Sequence, residues 1–153
     1  MKYHDWRLKN NLPVHISIFN VDKYIRDKWI SENRHDELIA YIKSEWDNGD
    51  FNDYTDFIEE YEQFLLKEKL SIPFIKLWNN IVKTRLSNFQ WHHKQSKIKQ
   101  TKSYVDLVFE KREFVTKAID RFTNGLLELK QFEEIEKIQA LKVKIEKLQI
   151  PKK

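Results

Sequence analysis

Apolar residues recur every three to four positions along most of this chain, the spacing that lines them up on one face of an α-helix. Asn20 is suited to cap a first helix, with Asp22 in its opening turn and Val21, Tyr24, Ile25 and Trp29 at helical intervals. A second helix carries Leu38, Ile39, Ile42 and Trp46 and stops at Asn48-Gly49, a pair fitted to a helix C-terminus. The third starts near residue 52 with a wide stripe of Tyr54, Phe57, Ile58, Tyr61, Phe64 and Leu65. Its acids come early and Lys67 and Lys69 come late, as the helix dipole favours.

Ser71 is the expected cap of a fourth helix, with Pro73 tolerated in the first turn. Ile75, Trp78, Val82, Leu86 and Phe89 mark its buried face. From Lys94 to Lys102 apolar content almost vanishes, which predicts a frayed helix end or a loop. Ser103 opens a fifth helix with Tyr104, Leu107, Val108, Val115, Ile119 and Phe122, and Asn124-Gly125 is the expected place for it to break or bend. A last helix runs from about Phe132 to Leu148 on Ile135, Ile138, Leu141 and Ile145, and Pro151 ends it.

Residues 1–19 do not follow this pattern. Val14-His15-Ile16-Ser17-Ile18-Phe19 alternates like a strand after Pro13, yet no second strand-like run exists to pair with it. The segment is therefore read as an extended arm, anchored on the helices by its apolar side chains.

Composition strengthens the helical reading. Two glycines and three prolines in 153 residues are too few for the corners of a β architecture. Ten Phe, six Tyr and five Trp supply more large buried surface than a disordered chain carries. The expected fold is all-α: a single-domain bundle, or short stack of hairpins, of about six helices over residues 20–150, with the arm at 1–19. Leu129-Lys130-Gln131-Phe132-Glu133-Glu134 resembles the turn of a tetratricopeptide hairpin, but no repeat recurs near 34 residues.

The chain has no cysteine, which excludes disulfides, thiolate metal sites and a cysteine nucleophile. With no apolar run of signal-peptide or membrane-spanning length, the expected location is the cytoplasm and no membrane partner is expected. A formal charge of +4 from 28 basic and 24 acidic residues decides little by itself.

The distribution of that charge is more informative. Asp47, Asp50, Asp53, Asp56, Glu59, Glu60 and Glu62 form a run without Lys or Arg. It fails as a calcium loop: counted from Asp47, the third position is Gly49, and counted from Asp50, the required glycine falls on Thr55. The run reads as a solvated face or a surface for a basic partner. Its opposite lies between Lys83 and Lys102, where Lys83, Arg85, Lys94, Lys97, Lys99 and Lys102 occur with no acid. Phe89 is in phase with the buried stripe, so Trp91 is the aromatic expected to face outward there. Trp91, His92, His93, Lys94, Lys97 and Lys99, with Asp50, Asp53 and Asp56, are the candidate binding residues. The basic stretch suits intramolecular complementation, nucleic acid or an acidic protein.

The histidines give no convincing metal site, since adjacent helical residues such as His92 and His93 point about 100° apart. His35-Asp36 formally resembles the histidine–aspartate order of metal-dependent phosphohydrolases, but it follows the polar Ser31-Glu32-Asn33-Arg34 rather than an apolar helix. Arg85 and His92, seven residues apart, resemble the catalytic pattern of a family of small helical ribonucleases. That resemblance implies an arginine that neutralises the phosphate and a histidine that moves the 2′-hydroxyl proton. In that family four to six residues separate the arginine and the histidine, as six do here, but the residue after the arginine is polar, whereas Leu86 follows here.

With two glycines there is no phosphate loop or dinucleotide fingerprint, and no cofactor is expected. The leading expectation is a non-catalytic interaction protein that works by protein–protein binding, in the manner of an immunity or antitoxin-type inhibitor of a bacterial toxin. The high tryptophan and tyrosine count motivates it, because these residues dominate interface hot spots. The alternative is a nucleic-acid-binding helical protein or a ribonuclease that uses Arg85 and His92. The last helix, with Glu133 and Lys137 four apart on its wet side, also suits a dimer seam.

Overall fold

The computed structural model describes residues 5–6, 9–10, 28–47, 52–98 and 101–150, with 44–47 and 52–57 described by backbone alone. They form α1 (His35–Asp47), α2 (Asn52–Lys67), α3 (Ser71–Ser96), α4 (Lys102–Glu128) and α5 (Phe132–Lys147). A helical stretch at 28–31 precedes α1, and no strand occurs among the described residues. The fold is all-α, as the apolar spacing predicts. The chain divides into two compact units, 1–76 and 77–153, with the boundary inside α3.

Three helix joints share one construction, and none of them uses glycine. Asn33, Lys69 and Lys130 sit in the left-handed region at φ 59°, 56° and 57°. At each, the following N–H reaches back five residues: Arg34 to the Trp29 carbonyl at 2.7 Å, Leu70 to Leu65 at 2.9 Å, and Gln131 to Leu126 at 2.9 Å. These are Schellman closures, which satisfy the last carbonyls of the preceding helix. The carbonyl of the same residue then accepts the first bond of the next helix, from Leu38, Phe74 and Ile135, each at 3.2 Å. One residue thus closes one helix and opens the next. Ser71 accordingly lies inside α3, and the capping position it was expected to fill belongs to Leu70.

A side chain with a Cβ in the left-handed region carries a steric cost that glycine avoids. Lys69→Gly and Lys130→Gly are therefore expected each to raise stability by about 1 kcal/mol. Urea melts read by helical circular dichroism would check this, and unchanged midpoints would contradict it.

In the first unit Trp6 is buried edge-on against Phe64, with ring centroids 5.7 Å apart. Asn10 accepts a hydrogen bond from Lys67 at 3.0 Å. Asp5, Trp6 and Lys9 are helical and Asn10 lies in a turn, while the rest of the extended arm expected over 1–19 lies outside the described residues. The strand-like run 14–19 and the cap at Asn20 lie outside the described residues. The core gathers Ile30, Leu38, Ile42, Tyr61, Leu65 and Phe74.

In the second unit α4 runs antiparallel to the 77–96 part of α3. Trp78 stacks on Phe122 with centroids 6.4 Å apart, Arg85 meets Phe114, and His92 meets Tyr104, so positions rise on one helix as they fall on the other. α4 and α5 form a second antiparallel pair, joined by Gln139 to Thr123 at 2.9 Å and Lys142 to Asp120 at 2.7 Å. Thr101 caps α4 by accepting from the Tyr104 N–H at 3.2 Å, so the helix begins before the expected Ser103. Asn124-Gly125 neither breaks nor ends it: Gly125 is buried and α4 continues to Glu128. The buried face of α3 is Phe74, Leu77, Trp78, Ile81, Val82 and Phe89, while the expected Ile75 and Leu86 are only half-buried.

Candidate functional site

The α3 helix is where the basic run takes shape. From Ser71 to Val105 the chain contains no acidic residue. At 100° per residue, Arg85 and His92 differ by only about 20° around the axis and so share a face, about 10 Å apart along it. That face is turned to α4. The Arg85 guanidinium donates to the Phe114 carbonyl at 3.2 Å, and the His92 Nδ1 shares a hydrogen bond with the Tyr104 hydroxyl at 3.0 Å. Burial, then the Lys111 charge, lower the His92 pKa, so the ring is neutral at pH 7. Burial and the nearby Arg121 lower that of Arg85. Both side chains thus bridge α3 to α4, at points ten residues apart on α4.

His93 points elsewhere, as the helical angle requires. Its Nε2 donates to the Gln149 carbonyl at 2.8 Å, and the ring lies 5.7 Å from that of Phe89. Arg112 donates to the Leu148 carbonyl at 3.0 Å. The segment after α5 is therefore pinned to α3 and α4 together, with Ile150 buried beneath it. Ser96, also buried, donates to the His93 carbonyl at 2.6 Å.

Phe89 is fully buried and Trp91 is 57% exposed, the division the sequence predicts for two residues about 200° apart. The Trp91 ring meets His92 edge-on at 4.9 Å, which braces the indole against a residue fixed to α4. Lys83, Lys94 and Lys97 are exposed. Ile98, 77% exposed, follows in the turn after α3, its N–H bonded to Gln95. It lies two residues past the end of α3, and the lysine-rich surroundings hide it from a sequence reading. Lys99 lies outside the described residues.

Asp50 lies outside the described residues, and Asp53 and Asp56 are placed on α2 by backbone alone. His35 and Asp36 are engaged separately: the His35 Nδ1 with the Tyr61 hydroxyl at 2.6 Å, and Asp36 with Lys76 at 2.8 Å. Among the described residues no group of three His, Asp or Glu is placed to hold a metal ion. No helix of the described residues is long and apolar enough to cross a membrane. No family model, no curated protein and no solved structure matches this chain.

Proposed function

We propose that this chain is a non-catalytic protein-binding module whose contact surface is the outer face of α3 around Trp91. The observation that carries the reading is the indole itself, more than half exposed on a helix whose Phe74, Trp78 and Phe89 are buried on other faces. Tryptophan supplies large contact area at low conformational cost and is the residue most enriched at interface hot spots. The neighbours Arg85 and His92 support the same reading. Their polar heads are hydrogen-bonded to α4, whereas phosphoryl chemistry needs both converging on one substrate. An immunity or antitoxin-type inhibitor is the form of this function that suits a small helical chain without catalytic turns.

The test is affinity purification of the full chain from its native host, as wild type and as Trp91→Ala. A protein partner retained in stoichiometric amount by the wild type and lost from the variant is expected. If the partner is a toxin, co-expression should protect cells from it, and Trp91→Ala should abolish protection. Incubation with RNA should leave the RNA intact. Cleavage that His92→Ala removes would overturn the proposal in favour of a ribonuclease.

A further inference from the structure

We infer that the surface around Trp91 receives an acidic amphipathic helix of another protein. This rests on the protein-binding reading above and specifies the partner's chemistry. Three observations carry it. The first is electrostatic: the chain has 24 acidic residues, yet none between Ser71 and Val105. A run of exposed lysines with no acid beside it in the chain gives this part of α3 positive charge, which steers and orients an acidic partner.

The second observation is the placement of the lysines. Lys83 and Lys94 are eleven residues apart, three helical turns, and so fall within about 20° of each other around the axis. Lys94 is three residues from Trp91 and therefore its lateral neighbour. Lys97 is exposed in the turn that follows. The other flank of Trp91 presents Asn88 and Gln95, which are uncharged. Trp91 thus has one cationic flank and one uncharged flank on α3. A helix with acids along one side of its apolar stripe is complementary in one orientation only.

The third observation separates protein from nucleic acid. Single strands bind through successive aromatic planes, one for each stacked base. Among the described residues between Ser71 and Val105, the strongly exposed apolar residues besides Trp91 are Ile72 and Ile98, both aliphatic and without a face on which a base could stack. Trp91 near the end of α3 and Ile98 in the turn after it give a partner's apolar stripe two aliphatic or aromatic contacts beside the lysines.

The experiment uses the full chain with nitrogen-15 in its tryptophan indoles, so that Trp91 reports directly by NMR once its signal is assigned through Trp91→Phe. The probes are a helical peptide with leucines at i, i+3 and i+7 and glutamates along one flank, the same peptide with glutamine for glutamate, and a single-stranded oligothymidylate. The acidic peptide is expected to shift the Trp91 indole. Lys83→Glu, Lys94→Glu and Lys97→Glu together should weaken that binding about tenfold or more, since each exposed ion pair contributes modestly. Trp91→Ala should remove binding. All four side chains are exposed, so the variants should retain the wild-type melting temperature, which circular dichroism checks.

An equal response to the glutamine peptide would overturn the acidic partner while leaving the protein-binding reading in place. A tighter response to the oligonucleotide would overturn it in favour of a phosphate backbone. No indole response to any probe, together with no co-purifying protein, would overturn both.

Discussion

Phe122→Ala is expected to destabilise the second unit by about 3–5 kcal/mol, against a total of about 5–15 kcal/mol for a typical domain. Phe122 is buried in α4 and stacks on Trp78 of α3, their planes only 19° apart. Removing the ring leaves a cavity beside the largest side chain of the unit's core. It also deprives Trp78 of one face, while the Arg121 guanidinium, 4.9 Å from the indole centroid, remains. The contact lies in the same seam as Arg85–Phe114 and His92–Tyr104, so the loss should loosen the mounting of Trp91 as well. A urea titration followed by circular dichroism should show an early transition. Phe132→Ala, which truncates a ring already 61% exposed, should stay within about 0.5 kcal/mol of wild type. Equal midpoints for the two variants would refute the assignment of the Trp78–Phe122 stack as the centre of this core.

What the sequence could and could not convey follows from the kind of signal each feature leaves. Helices were legible because a period near 3.6 is written into side-chain identity, and the scarcity of glycine and proline removed the competing architectures. Phe89 and Trp91 were separable for the same reason, since about 200° of rotation puts them on opposite sides of α3. Helix ends were legible to within a residue or two, as near residue 52 and at Phe132, but the way the helices close was not. Lys69 and Lys130 hold left-handed positions that glycine usually fills, and nothing about an exposed lysine advertises it. Asn124-Gly125, the strongest apparent breaker, lies inside α4 because the absent side chain is used for burial rather than for a turn.

The roles of the polar residues were least legible. The common face of Arg85 and His92 could be computed from their spacing, but their partners are the Phe114 carbonyl and the Tyr104 hydroxyl on another helix. A backbone carbonyl leaves no trace in sequence, and the same holds for Gln149 opposite His93. Two residues that resemble a catalytic pair in one dimension each hydrogen-bond to a second helix in three. The surface that remains, Trp91 with its lysine edge, was half visible, and Ile98 completes it.

The first unit should lose stability in mild acid through one pair, His35 and Tyr61. Their rings lie parallel, 9° apart in tilt with centroids at 5.9 Å, and the Tyr61 hydroxyl meets the His35 Nδ1 at 2.6 Å. Tyr61 is completely buried, and burial pushes its own pKa far up, so the phenol stays protonated and serves as the donor. Nδ1 must then be the unprotonated nitrogen of a neutral ring. Burial lowers the His35 pKa, opposed only in part by the Asp36 charge. Its place at the start of α1 disfavours a cation further, because helix N-termini carry partial positive charge. The sign follows: the unfolded chain, with a usual histidine pKa of about 6.5, takes up a proton before the folded chain does. The pair's contribution is complete above that value, declines as pH falls toward the folded-state pKa, and changes no further below it. Urea midpoints measured across this window should fall with pH in the wild type. His35→Gln should flatten that decline, whereas His92→Gln, which alters a lowered-pKa histidine in the other unit, should leave it in the first unit's transition. Tyr61→Phe should cost about 1–3 kcal/mol by orphaning Nδ1, and should also flatten the decline by letting the His35 pKa rise. Tyr61→Ala should cost about 3–5 kcal/mol through the cavity and abolish a cooperative transition for the first unit. An acid slope identical in wild type and His35→Gln would show that the destabilising proton binds elsewhere.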